Sequence, residues 1–155
     1  MKTGSRELQI ISVADHRKKY LPLLLLADEQ EDMIDRYLAG GDMYVLLLHG
    51  AAAGVCLVKE ESSEVLEIKN LAVRVENQRQ GYGRMLIRYV AEKYRGRYAT
   101  LQVGTGENPS TLSFYESCGF RRWGAIPDFF TDNYDHVICE DGVVLKDMIL
   151  LRQEL

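Results

Sequence analysis

The stretch that most constrains this chain runs from Leu66 to Tyr94, where a strand, a glycine-bearing turn and a helix follow with almost no slack. Leu66-Glu67-Ile68-Lys69-Asn70-Leu71-Ala72-Val73 mixes apolar and polar positions and ends β-branched, which predicts a strand. From Tyr82 onward the apolar residues fall at Tyr82, Met85, Leu86, Tyr89 and Val90, the spacing of a helix that buries one face. Arg84, Arg88, Glu92 and Arg95 are left for the wet side. Between strand and helix lies Gln78-Arg79-Gln80-Gly81-Tyr82-Gly83-Arg84. A helix that starts here presents unpaired N–H donors and the positive end of its dipole. Gly81 and Gly83 carry no Cβ, so an anion can approach the backbone, and Arg79 and Arg84 add charge. A diphosphate suits such a cradle. The turn alone is weak evidence, because Leu86 stands where a third glycine would complete G-x-G-x-x-G and no G-K-[ST] follows. A glycine-eased connection and an anion site are both open readings of it.

The surroundings narrow the choice. Leu71-Ala72-Val73 followed by Gln78-Arg79-Gln80-Gly81-Tyr82-Gly83 resembles the acetyl-CoA motif Q/R-x-x-G-x-G/A of the GCN5-related N-acetyltransferases (GNAT). Asn108-Pro109-Ser110-Thr111 and Phe114-Tyr115-Glu116-Ser117-Cys118-Gly119-Phe120 resemble that family's second landmark, an Asn before a short helix ending in Y-x-x-x-G-F. The resemblance spans roughly Val45 to Phe120. It implies an α/β (α+β) fold with a mixed, mostly antiparallel seven-stranded sheet splayed between its fourth and fifth strands, and about four helices.

The rest of the chain fits one domain over residues 1–155. Gln9 to Val13 reads as a first strand, Arg17 to Ala27 as a helix capped by Asp15, and Glu29 to Leu38 as a second helix closed by Gly40-Gly41. Arg17-Lys18-Lys19 before Leu21-Pro22-Leu23-Leu24-Leu25-Leu26-Ala27 is superficially like a signal peptide, but the run is internal, short and ends in Asp28-Glu29. A buried helix is the simpler reading. Met43 to Leu48 and Ala52 to Val58 form a hairpin pattern around His49-Gly50-Ala51. Tyr98 to Val103 is a further strand before the loop Gly104 to Glu107. Pro109 opens a helix to Ser117, and strands follow from Phe120 and over Val143 to Leu151.

Composition excludes some functions. A net charge of −4 argues against nucleic-acid binding, which needs a basic face, but is compatible with a cationic substrate. No membrane association is expected. Cys56, Cys118 and Cys139 are odd in number and widely spaced, so no disulfide framework is implied and a reducing cytoplasm is the expected home. His136 and Cys139 make at most half a metal site, and no metal is expected.

The resemblance implies a cosubstrate, acetyl-CoA, held by the backbone of Leu71, Ala72 and Val73 and by Gln78, Arg79, Gln80, Gly81, Tyr82, Gly83, Arg84, Asn108 and Tyr115. Where the splay leaves strand N–H and C=O groups unpaired, the amide-bearing pantetheine arm can pair as an added strand. Thr111 stands where the family commonly has Ala, and Asn108 is equally a cap for the helix at Pro109. Direct acetyl transfer to a primary amine in a ternary complex is the implied reaction. The amine must shed its proton, the oxyanion needs N–H donors, and the departing thiolate needs an acid. Tyr115 stands where the family places that acid, against the plainer reading of a core tyrosine.

Glu67 is the candidate base, on the face of Leu71 and Val73 if the strand carries no bulge. Its plainer reading is a surface glutamate paired with Lys69, and Glu107 is the fallback base. Gln102 replaces the glutamate that members acetylating ribosomal-protein N-termini carry in Leu101-Gln102-Val103, which disfavours that subclass. The acidic residues Asp28 to Asp35 read as wet helix faces, or as attraction for a cationic acceptor. Asp128, Asp132, Asp135 and Tyr134, in or beside the aromatic stretch Trp123 to Tyr134, are likewise open to two readings, a solvated surface or a lid on the acceptor site. The acceptor is a small cationic amine or a peptide amine, with a homodimer also open. A non-catalytic acyl-CoA-binding sensor is the alternative.

Overall fold

The computed structural model describes residues 7–155. Five helices and nine strands build it. The strands are β1 (Leu8–Val13), β2 (Asp42–Leu48), β3 (Ala51–Glu60), β4 (Val65–Val73), β5 (Thr100–Gly106), β6 (Arg121–Ile126), β7 (Cys139–Glu140), β8 (Val143–Val144) and β9 (Met148–Glu154). The α-helices are α1 (Leu21–Ala27), α2 (Glu31–Asp35), α3 (Tyr82–Tyr94), α4 (Pro109–Ser117) and α5 (Phe129–Asn133). Seven strands form one sheet in the order β1-β2-β3-β4-β5-β9-β6, and β7 pairs with β8 apart from it. Only β4 and β5 run parallel within that sheet; every other pairing is antiparallel. The crossover that makes this parallel pair is α3, as a β-α-β unit requires.

Each face of the sheet has its own core. Leu66 and Ile68 of β4 pack with Leu86, Ile87, Val90 and Tyr94 of α3 on one face. Leu23 and Leu24 of α1 meet Val45, Val55 and Leu57 on the other. Burial of each such side chain contributes about 1.5–3 kcal/mol. The buried stripe of α3 is rotated slightly from the sequence expectation: Ile87 and Tyr94 are buried, whereas Tyr82, Met85 and Tyr89 are half-buried.

Several boundaries differ from the sequence reading. Asp15 caps nothing; His16, at φ 56, precedes a 3-10 turn over Arg17–Tyr20 without a side-chain cap. The α-helix begins at Leu21, with Pro22 in its first two positions, where a missing N–H costs no hydrogen bond. The second helix shortens to Glu31–Asp35, although Met33, Ile34, Tyr37 and Leu38 are all buried as the pattern required. Gly104 to Gly106 extend β5 instead of looping, because they pair with Leu150, Ile149 and Met148 of β9.

The expected strand from Val143 to Leu151 is interrupted. Lys146 O accepts the Phe130 N–H at 2.9 Å and Asp147 Oδ1 accepts the Asp128 N–H at 2.8 Å. These bonds draw the chain toward α5, so the final strand starts only at Met148.

Candidate active site

β4 and β5 part company half-way along. Val65 to Ile68 pair with Thr100 to Val103, and the pairing stops there. Beyond it, Lys69 to Val73 face Gly104 to Gly106 across a gap. A buried strand edge left this way exposes peptide groups that need partners. A bulge sits at the same place: Leu57 pairs with Asn70 and Val58 with Ile68, which leaves Lys69 unpaired on β4. The extra residue bends the strand and switches which side chains share a face.

The gap opens into three clefts. The first, about 590 Å³, lies along the turn and is lined by Leu71, Val73, Arg79, Gly81 and Gly83. The second, about 470 Å³, lies inside the gap between β4 and β5. Leu71, Gln78, Thr111 and Tyr115 line both, so they mark where the two join. A third, about 220 Å³, opens beyond it; Asp28, Lys69, Tyr134 and Met148 line both of those.

The turn is built for close approach. Gly81 has φ 90 and precedes the first turn of α3, a conformation that a Cβ strains. A Cβ at Gly83 would meet Phe114 Cζ at 3.1 Å, so glycine there lets α3 and α4 pack closely. Gln78 Nε2 donates to Val73 O at 2.9 Å and ties the turn to the end of β4. Gln80 Nε2 reaches Glu76 O at 3.4 Å.

These features match a known family. A family model described as an acetyltransferase (GNAT) domain matches residues 39–122. An uncharacterized N-acetyltransferase, YvbK, of Bacillus subtilis (strain 168) is 37% identical over 135 residues, covering 86% of this chain and 87% of that one. The crystal structure of a GNAT family acetyltransferase from Elizabethkingia anophelis with acetyl-CoA bound superposes with a TM-score of 0.91 at 35% identity, covering 96% and 99% of the two chains. A Bacillus subtilis acetyltransferase in complex with CoA gives 0.87 at 34% identity, with the same coverage. The chain belongs to the GNAT acetyltransferase family. The seven-stranded sheet splayed between its fourth and fifth strands is the fold that the sequence resemblance implied, with five α-helices among the described residues.

Within this GNAT domain the sequence-predicted residues separate into three groups. Leu71, Ala72, Val73, Gln78, Arg79, Gly81, Tyr82, Gly83, Arg84 and Tyr115 line the turn cleft together. Gln80 flanks it and is exposed. Arg84 keeps its charge but differs from expectation in its partners, because its guanidinium donates to Ser117 O at 2.8 Å and to Ser117 Oγ at 2.9 Å. That bond pins α3 to the end of α4 and leaves Arg79 as the turn's unengaged cation among the described residues.

Asn108 lines the inner cleft and caps its helix, its Oδ1 accepting the Ser110 N–H at 3.1 Å. Its Nδ2 donates to Asp141 Oδ2 at 3.0 Å. Tyr115 is 7% exposed, with its ring edge-on to Phe114 and Phe120. Burial raises its pKa first, and the neighbouring Cys56 and Cys118 add to the shift, so it holds its proton.

Glu67 is a correction in placement. The bulge at Lys69 breaks the parity with Leu71 and Val73, so Glu67 faces the α1–α2 side, where it lines the third cleft beside Tyr37 and Asp28. It is 6% exposed, not a surface residue. Gln102 Nε2 donates to Glu67 Oε1 at 3.2 Å and Lys69 Nζ lies 3.5 Å away. Arg152 Nε donates to Gln102 Oε1 at 2.8 Å, which obliges the Gln102 nitrogen to face Glu67. Burial raises the Glu67 pKa above the ordinary value, against the opposing pull of Lys69. Glu107 is exposed and lines none of the three clefts.

A cluster that the sequence reading touches only through Asp28, as one of the acids that could attract a cationic acceptor, and Tyr134, in the aromatic stretch, closes the inner cleft. Asp28 Oδ2 accepts from Tyr37 Oη at 3.0 Å, and its Oδ1 accepts from Tyr134 Oη at 2.7 Å. Asn70 Nδ2 donates to Tyr37 Oη and to Leu24 O, both at 3.0 Å. Asp28 is therefore not on a wet helix face, whereas Glu31 and Asp35 are, both pairing with Lys18. Asn70 is one of three polar residues on the central strand, with Glu67 and Lys69, and nothing local singles it out; nothing local marks Asp28 either. His136 spans Glu29 at 2.7 Å and Asp135 at 2.6 Å, and among the described residues no group of three or more His, Cys, Asp or Glu could hold a metal. No helix among the described residues is long and apolar enough to cross a membrane.

Proposed function

We propose that this protein transfers an acetyl group from acetyl-CoA to a primary amine, directly, within a ternary complex. The observation that carries the reading is the parting of β4 from β5 beside the Gly81 turn, with Tyr115 where the two clefts join. Acetyl-CoA supplies an acetyl thioester. The residues present fit it: the unpaired edge from Lys69 to Val73 offers peptide groups to an extended amide chain. The N–H groups after Gly81, with Arg79 beside them, suit a diphosphate. The two similar crystal structures hold acetyl-CoA and CoA, which supports this assignment.

The chain's own groups divide the proton transfers. Tyr115, neutral because buried, gives the proton of its hydroxyl to the departing sulfur. Glu67 is the proton acceptor for the amine through water, since it lies one cleft away from Tyr115. Gln102 and Arg152 orient that carboxylate. Its raised pKa makes it a stronger base than an exposed glutamate, at the cost of needing higher pH to ionise. Carboxylates of Asp28, Glu140 and Asp141 around the inner cleft favour a cationic acceptor, small or peptidic.

The test is acetyl-CoA-dependent thiol release with polyamines, aminoglycosides, amino acids and lysine peptides. Release with one class establishes the reaction and names the acceptor type. Acetyl-CoA binding without release for any of them points to a sensor.

A further inference from the structure

The inner cleft contains more negative charge than the transfer of one acetyl group uses. Asp28, Glu140 and Asp141 line it, and none of the three forms an ion pair among the described residues; Lys69 is the cleft's one cation and lies 3.5 Å from Glu67. Asp28 and Glu140 are half-buried and Asp141 is exposed; carboxylates withdrawn from water without a cation favour either a proton or a positively charged ligand. A monoamine cannot supply that positive charge for long, because its nitrogen must be neutral to react and becomes an amide.

A second, independent observation lies in the same cleft. Asn70 is 3% exposed, and its nitrogen is committed to Leu24 O and Tyr37 Oη. Its oxygen is the one buried side-chain polar atom without a hydrogen-bond partner among the described residues. Leaving such an acceptor unpaired costs about 1–3 kcal/mol, so it calls for an N–H or O–H donor. Through Tyr37 the Asn70 amide is joined to Asp28 in one continuous network.

The cleft also has two ends. Tyr115 stands at the end shared with the turn cleft, and Asp28 with Tyr134 at the end shared with the third cleft. Over the Asp28 end runs a strap. Arg36 donates to Asn133 at 3.1 Å, the Asp135 N–H to Gln30 at 3.0 Å, and His136 contacts Glu29. A long peptide would have to displace this strap, whereas a small molecule need not.

Resting on the acetyltransferase reading, we propose that the acceptor is a small diamine or polyamine. One nitrogen reacts at the Tyr115 end while a second, still protonated, is held at the Asp28 end by the Asp28 carboxylate with the Asn70 oxygen beside it and Glu140 and Asp141 along the wall. At the reacting nitrogen an N–C bond forms and the C–S bond breaks; its proton leaves by way of Glu67, and the sulfur takes the Tyr115 proton. The second nitrogen keeps its protons and its charge throughout. Asp28 is thus a specificity-determining residue.

The experiment compares n-alkylamines with α,ω-diaminoalkanes of equal length, by thiol release and by calorimetry on CoA-loaded protein. The diamines should exceed the monoamines in kcat/KM by about tenfold or more, with the difference in KM. Asp28→Asn removes the charge and keeps an acceptor for one of the two tyrosine hydroxyls; it should erase that preference without altering KM for acetyl-CoA. Glu140→Gln, which changes charge alone on the other wall, should reduce it and serves if the first variant fails to fold. Equal kcat/KM for the matched pairs, or a preference that survives both variants, overturns the proposal. If peptides or other amines turn over while diamines neither bind nor react, the proposal falls and the acetyltransferase reading stands. If nothing turns over, that reading falls, and calorimetry alone decides: diamine binding lost in the variants supports the subsite, and absence of binding overturns it.

Discussion

The two ends of the site are made in opposite ways. The turn cleft comes largely from one continuous segment, Leu71 to Arg84, with α4 closing it. The inner cleft is assembled from Asp28 after α1, Asn70 on β4, Tyr134 after α5 and Glu140 on β7, residues far apart in the chain. A ligand cradle that depends on backbone geometry must be encoded locally, in glycines and strand ends. A subsite that depends on side-chain charge can gather its members from anywhere. Within one family the first kind therefore stays readable, while the second is free to vary.

That division is open to attack by mutation. The largest effect belongs at the junction. Tyr115→Phe should lower kcat by about 10²- to 10⁴-fold with acetyl-CoA affinity unchanged, measured by thiol release beside calorimetry. A loss of binding as large as the loss of rate would make Tyr115 a packing residue only.

Next is Glu67. Because burial raises its folded pKa, the residue is protonated and inactive as a base until pH exceeds that raised value. kcat/KM should rise with pH along a limb lying above the ordinary glutamate range. Glu67→Gln should remove the limb and cost about 10²-fold. If the limb persists in the variant, Asp28, whose pKa burial also raises, becomes the group to test.

Gly81→Ala perturbs the turn cleft alone. Forcing a Cβ into φ 90 costs about 1–2 kcal/mol. KM for acetyl-CoA should rise about tenfold while KM for the amine holds. Equal effects on both substrates would mean that the two clefts are not separable.

The smallest effect is at the strap. His136 is raised in pKa by its hydrogen bonds to Asp135 and then Glu29, so its clasp is fully present below 6.5 and is lost as pH rises through the raised value. At low pH the Asp135 amide should exchange about twofold more slowly in the wild type than in His136→Ala, and the gap should close as pH rises. A gap independent of pH would show that the imidazolium charge is not involved.

The same contrast explains what was legible in the sequence. The order strand, turn and helix, the hairpin at His49-Gly50 and the Pro109 helix start depend on near-neighbour chemistry, and each is present. The interrupted final strand was not legible, because its break depends on Asp147 and Lys146 bonding to α5. Neither was the bulge at Lys69, which no local pattern signals and which moved Glu67 to the other face of β4. Arg84 reads as a phosphate-facing charge until Ser117, distant in sequence, is seen to occupy it. Asp28 looked like one more surface acid, since the tyrosines that bury it lie 9 and 106 residues away.

The most direct test of the central claim, that the parted strands and the Gly81 turn are a site for acetyl-CoA, is calorimetric titration of acetyl-CoA into the purified protein. One site per chain with micromolar or tighter affinity is expected, weakened in Gly81→Ala and unchanged in Asp28→Asn. No heat of binding at such concentrations, or binding weakened by Asp28→Asn and not by Gly81→Ala, would contradict that claim.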